Sequence, residues 1–128
     1  MKEPRWLDRA ECLAIHDLML AQYGGLGGVR DESLLESALA KPRNRYAYEH
    51  ASTAELVASY AAGIVHNHPF LDGNKRTGFM LAATFLELNG LWFAAPEVEV
   101  VEQTLGLAAN AIDEKQYGAW LAANTKKA

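Results

Sequence analysis

One stretch of the chain concentrates side chains that can do chemistry: His66-Asn67-His68-Pro69-Phe70-Leu71-Asp72-Gly73-Asn74-Lys75-Arg76-Thr77. Between His68 and Arg76 lie an imidazole, a carboxylate, a glycine and two cations. Gly73 and Asn74 permit tight or left-handed backbone. A helix starting near Asn74 would present unpaired N–H groups and the positive end of its dipole. That is an anion-binding nest, and Lys75 and Arg76 add full charges to it. Two cations at a helix start oppose the dipole, and a bound anion removes the conflict. A polyphosphate is the guest this predicts. Asp72, just ahead, is placed to hold Mg2+ against that phosphate. His68 can take a proton from an attacking hydroxyl near neutral pH. Base, metal, anion hole and cations together read as phosphoryl or nucleotidyl transfer.

Other candidates carry less. His66-x-His68 with Asp72 resembles a transition-metal spacing, but a histidine at a helix C-terminus already satisfies the dipole. Gly24-Gly25-Leu26-Gly27-Gly28 lacks the preceding strand and the spacing of a phosphate loop, and reads as a flexible helix–helix connection. Lys41, Arg43 and Arg45 form a basic run, best read as a solvated loop, with an acidic or phosphate-bearing partner as the alternative. His16 reads as a satisfied helix histidine, and Cys12, Met19 and Met80 as core. Trp6, Trp92 and Trp120 are too scattered for a base-stacking platform.

The elements that must position these residues are helices. Asp8 and Glu11 form a capping box ahead of Cys12, Ile15, His16, Met19 and Tyr23, and Gly24-Gly25 ends that helix. Asp31 caps a second helix through Leu34, Leu35 and Ala38, which Pro42 is expected to stop. Ser52 and Glu55 box a third, carrying Leu56, Tyr60 and Ile64 with Val57, Ala61 and Val65, and Pro69 halts it near His68. A fourth runs from Asn74 to Asn89-Gly90. It is apolar nearly all round, which predicts the central, most buried helix. Pro96 opens a fifth, with Val98, Val101, Leu105 and Ala108 expected inside. Asp113 and Gln116 box a sixth with Tyr117, Trp120 and Leu121, and Lys126-Lys127 suits a helix end or a frayed tail. Only Leu91-Trp92-Phe93 and Tyr46-Ala47-Tyr48 look strand-like. The expected fold is all-α, with no internal repeat or linker.

Composition agrees. The 128 residues predict one domain spanning 1–128, able to bury roughly two thirds of its unfolded surface without staples. Half the residues are hydrophobic and 22% charged, which excludes a disordered tail. No apolar run reaches the ~18 residues of a membrane span, and no secretory leader is seen. The single cysteine suits a reducing cytoplasm. The formal net charge of -4 disfavours a nucleic-acid binder, so phosphate chemistry must rest on the local basic cluster.

His68-Pro-Phe-Leu-Asp-Gly-Asn-Lys-Arg76 resembles the Fic signature, H-P-F-x-D/E-G-N-G-R-x-x-R. It is closer still to the death-on-curing (Doc) branch, where lysine follows the asparagine. Ile15-His16-Asp17, Tyr23-Gly24-Gly25, Gly28-Val29-Arg30-Asp31 and Leu35-Glu36-Ser37-Ala38 also look like that branch, and the likeness covers about residues 7 to 122. The resemblance implies an all-α bundle of about six helices around the motif helix, with a short flap near Lys41 to His50. It implies His68 as general base toward a Ser or Thr hydroxyl, Phe70 as a buried anchor and Asp72 as the Mg2+ ligand. Gly73 and Asn74 would line the anion hole, and Lys75 and Arg76 would hold the phosphates of ATP.

Two departures from the general signature matter. Lys75 stands where Fic proteins carry glycine, and Phe79 stands where the second arginine would be. Members with the lysine resemble kinases that reverse the nucleotide and phosphorylate elongation factor Tu, halting translation. AMP transfer on the same scaffold, and a nucleotide- or partner-binding module with little turnover, are the alternatives. No S/T-x-x-x-E-G/N inhibitory segment is present in the sequence, which implies neutralisation in trans by a small Phd-like antitoxin.

Overall fold

The computed structural model describes residues 3–128. Six helices follow in order: α1 (Arg9–Tyr23), α2 (Glu32–Glu49), α3 (Thr53–Asn67), α4 (Asn74–Leu88), α5 (Glu97–Ala108) and α6 (Glu114–Ala123). Two three-residue strands, β1 (Leu91–Phe93) after α4 and β2 (Thr125–Lys127) after α6, pair antiparallel, with Trp92 opposite Lys126. The chain is therefore all-α apart from this small ribbon.

The helix starts follow the local chemistry. All three boxes form: Asp8 with Glu11, Ser52 with Glu55, and Asp113 with Gln116. Each satisfies a backbone donor that the first helical turn leaves open. The backbone and hydroxyl of Ser52 also hold the Glu55 carboxyl below its ordinary range.

Pro42 does not stop α2. The helix runs through it to Glu49, and Pro42 itself is buried. A proline inside a helix costs about 3 kcal/mol, so tertiary contacts must offset it. They are visible beyond the proline. Arg45 pairs with Glu49, Glu55 and Glu114, and Lys41 pairs with Glu114 at 2.9 Å. Tyr46 packs edge-on against Trp6 at 5.6 Å. Tyr46-Ala47-Tyr48 is thus helix and not strand, and the expected flap at Lys41 to His50 is the end of α2. The basic run is engaged at the surface by contacts within the chain, with Arg43 over the Trp6 ring at 5.7 Å.

The centre of the bundle is α3 and not α4. Every residue from Leu56 to Val65 is buried. Neighbouring helices approach it closely at small residues. A Cβ on Gly63 would lie 3.1 Å from Ala38 Cβ of α2, and one on Gly78 would lie 3.0 Å from the Ala61 carbonyl oxygen. A Cβ on Gly118 of α6 would lie 2.9 Å from the Ala54 carbonyl oxygen. The apolar circumference of α4 is divided instead. Leu81, Ala82, Phe85 and Leu86 face the core, while Phe79, Met80 and Ala83 line an open groove.

In α5 the inward face is Thr104 and Leu107; Val98, Val101 and Leu105 are half or more exposed. The Thr104 hydroxyl meets the Tyr117 hydroxyl at 2.9 Å, and that buried pair sets the rotation of the helix. The Lys126-Lys127 tail is strand β2.

Candidate functional site

The signature loop joins the C-terminus of α3 to the N-terminus of α4. His68 is the C-cap of α3, held in left-handed backbone (φ 53°, ψ 52°) with its N–H donating to the Ile64 carbonyl. Pro69 and Phe70 are buried beneath it. Gly73, at φ 77°, caps α4 without a side-chain acceptor, so the first N–H groups of α4 have no capping partner.

Asn74 closes the loop from inside. Its Oδ1 accepts from the Phe70 N–H at 3.1 Å and its Nδ2 donates to the Phe70 carbonyl at 3.0 Å. That pair fixes the orientation of the amide. The second N–H of Nδ2 then faces His68 Nδ1 at 3.2 Å, so the neutral ring in this arrangement carries its proton on Nε2. The side chain of Asn74 is buried, and what it can offer a ligand is backbone N–H.

Asp72 lies at the mouth with its carboxylate exposed. Oδ1 accepts from the Gly73 N–H at 2.9 Å, and Oδ2 accepts a long bond from the Leu26 N–H at 3.3 Å. Among the described residues no cluster of three or more metal-ligating side chains occurs. Asp72 could therefore hold a cation only with water and ligand oxygens completing the shell. Mg2+ tolerates that arrangement, since it commonly takes one or two carboxylates plus phosphate.

Lys75 and Arg76 are exposed on the first turn of α4, and neither has a carboxylate partner among the described residues. The Arg76 guanidinium lies over the Tyr23 ring at 4.3 Å. His68, Asp72, Gly73, Asn74, Lys75 and Arg76 all line one groove of about 810 Å³. All six residues singled out by the sequence are brought together. The far wall is apolar, built by Phe79, Met80 and Ala83 of α4, Phe93 of β1, and Val101 and Leu105 of α5. His66 points elsewhere, its Nε2 donating to the Leu107 carbonyl at 2.8 Å, so the two histidines do not form a metal pair.

Four supporting residues were not legible as functional. Arg30 donates from Nε to the His68 carbonyl at 2.7 Å and from its terminal nitrogen to the Asn67 carbonyl at 3.0 Å. It thereby satisfies the open carbonyls at the end of α3. Val29 bridges Phe70 in antiparallel fashion, so the 24–31 connection, not residues 41–50, lies along the site. A Cβ on Gly25 would sit 2.8 Å from Asp72 Oδ2, which explains a glycine there. His16, buried in α1, donates from Nε2 to the Asp72 carbonyl at 2.8 Å and stacks on Phe70 at 3.8 Å. The partners lie 38 and 56 residues apart in sequence, beyond any local pattern.

Fold and site define a helical protein that gathers a histidine, a carboxylate and a helix N-terminus bearing two cations into one groove. The Fic/DOC family matches residues 6–86. The chain belongs to that family. It is 34% identical over 110 residues to "Protein kinase doc" of Escherichia phage P1, covering 84% of this chain and 86% of that protein. It is 35% identical over 92 residues to "Toxin Doc" of Mycolicibacterium smegmatis, covering 70% and 68% respectively.

Proposed function

We propose that this protein is a toxin kinase of the Doc type, acting in the cytoplasm. It transfers the γ-phosphate of ATP to a Ser or Thr hydroxyl of a protein target, with elongation factor Tu as the target to test first. The observation that carries the reading is the shared groove, where the His68 imidazole, the Asp72 carboxylate and the exposed cations Lys75 and Arg76 converge on the uncapped start of α4. The names of the two relatives, a kinase and a toxin, support it.

His68 takes the proton of the attacking hydroxyl. In the arrangement described, Nδ1 faces the Asn74 amide and Nε2 holds a proton. Presenting a bare nitrogen to the hydroxyl therefore requires a half-turn of the ring, because a proton moved to Nδ1 would face the Asn74 N–H. The N–H groups at the start of α4 hold phosphate oxygens, and Lys75 and Arg76 balance their charge. Asp72 would hold Mg2+, which neutralises phosphate charge when bound. Phe79 replaces an arginine that would otherwise grip the triphosphate, consistent with a nucleotide that lies in the reversed sense.

Inhibition is assigned to a Phd-like antitoxin. The apolar wall of the groove, continued by the exposed Val98, Val101 and Leu105, suits an amphipathic helix laid across it.

The test uses ATP labelled on the γ- or the α-phosphate, with Mg2+, elongation factor Tu and the protein. Transfer of γ-label alone supports the kinase. Transfer of α-label shows AMP transfer instead, and no transfer to any protein of a lysate points to a binding module. His68→Ala should lower the transfer rate by about 10²–10⁴-fold with the fold retained. Undiminished transfer in that variant overturns the role of His68.

A further inference from the structure

We infer that His16 is a positioning residue for the cation that Asp72 holds. The inference rests on the reading of Asp72 as a metal ligand. His16 is 2% exposed, on α1, and belongs to no part of the signature. A carbonyl oxygen only accepts, so His16 Nε2 must carry a proton to bond the Asp72 carbonyl at 2.8 Å. The ring lies nearly parallel to Phe70, at 8° and 3.8 Å between centroids. Stacking fixes the plane of the imidazole, and the plane aims the N–H.

What that N–H holds is the peptide between Asp72 and Gly73. The same peptide supplies the Gly73 N–H that binds Asp72 Oδ1 at 2.9 Å. Fixing the carbonyl on one side thus fixes the carboxylate on the other. Among the described residues the only other grip on that carboxylate is the 3.3 Å bond from the Leu26 N–H, from an exposed, glycine-rich connection. Gly73 has no Cβ, so it restricts the Asp72–Gly73 peptide less than any other residue would. Without His16, Asp72 would still be present but would sample more orientations. A cation with few protein ligands depends on the one it has, and partners behind a ligand commonly set its affinity.

The experiment measures binding of a non-hydrolysable ATP analogue by calorimetry, once with excess Mg2+ and once with EDTA. The quantity read is the gain in affinity that Mg2+ provides. His16→Phe keeps an aromatic ring for Phe70 and loses the donor; His16→Gln keeps a donor at a similar reach. The Mg2+ gain should shrink about ten-fold in His16→Phe and return to within about two-fold of wild type in His16→Gln. Binding in EDTA should be the same in all three proteins. An undiminished gain in His16→Phe overturns the inference and leaves Asp72 as a ligand. Equal weakening with and without Mg2+ also overturns it, because His16 would then merely support the fold. Absence of any Mg2+ gain in wild type overturns the reading of Asp72 and this inference with it.

Discussion

At the scale of single residues, Asn74 shows how a signature position works by geometry. Its amide makes two bonds to the Phe70 backbone and a third contact with His68. Asn74→Asp is nearly the same shape but replaces the donating nitrogen by an oxygen. That oxygen would face the Phe70 carbonyl and the bare Nδ1 of His68, in a position only 3% exposed. Losing the donors and burying a charge should cost about 2–4 kcal/mol, read by urea unfolding near neutral pH. Transfer should fall as well, since the ring loses the N–H that faces it. Unchanged stability would mean the amide is not held as described. The signature was readable because its members are contiguous in sequence. His16, by contrast, stood out only within the Ile15-His16-Asp17 likeness, and nothing local showed what it holds, since its partner is the carbonyl of Asp72 on another element.

At the scale of elements, site geometry depends on the distance between α3, which ends at His68, and α4, which begins at the anion nest. Gly78 sets that distance. A methyl there would meet Val65 Cγ2 at 2.8 Å and the Ala61 carbonyl oxygen at 3.0 Å, and the carbonyl is backbone that cannot swing aside. Gly78→Ala should therefore destabilise by about 1–3 kcal/mol in spite of the better helix propensity of alanine. Gly106 of α5 is the contrast. The nearest atoms to its Cβ would be those of the Ile112 side chain, at 3.4 Å and beyond, so Gly106→Ala should stabilise by about 0.5–1 kcal/mol. Denaturant unfolding of both variants checks the sign of each; a stabilising Gly78→Ala would show that the helices part freely. Helix starts were legible because a capping box is a local pattern. The continuation of α2 through Pro42 was not, because Arg45 and Tyr46 hold it through distant residues. The inward face of α5 was misjudged for a related reason. Val98, Val101 and Leu105 have the spacing of a buried stripe, yet with the Thr104–Tyr117 hydroxyl pair facing inward they lie outward, Val101 and Leu105 on the groove.

At the scale of the whole molecule, the core hides three weak acids on three helices, and their protons link stability to pH. Burial pushes the Cys12 thiol up to about 12 from its ordinary 9.0. Burial does the same to the Tyr60 and Tyr117 hydroxyls, each raised to about 12 from 10.0. Tyr60 also joins the N-terminal segment to the centre of the bundle, accepting the Leu7 N–H at 3.0 Å. Below about pH 9 the folded and unfolded chains hold these protons equally, and the stability linked to them is fully present. Above it the unfolded chain gives up protons that the folded chain retains. The folded state then binds more protons, and stability must fall as pH rises toward 12. Each group costs about 1.4 kcal/mol per pH unit above its unfolded value, so the loss by pH 11 should be about 5–6 kcal/mol. The exposed ion pair of Lys41 with Glu114 is too weak to imitate this. Cys12 is the acid with the lowest ordinary value, so Cys12→Ala should delay the onset of the decline from about pH 9 to about pH 10. It should also lower stability at pH 7, through the cavity left under α1. Urea unfolding from pH 7 to 11 in both proteins reads the two effects separately. A flat profile across that range would mean that water reaches these groups and that the bundle is looser than its packing indicates.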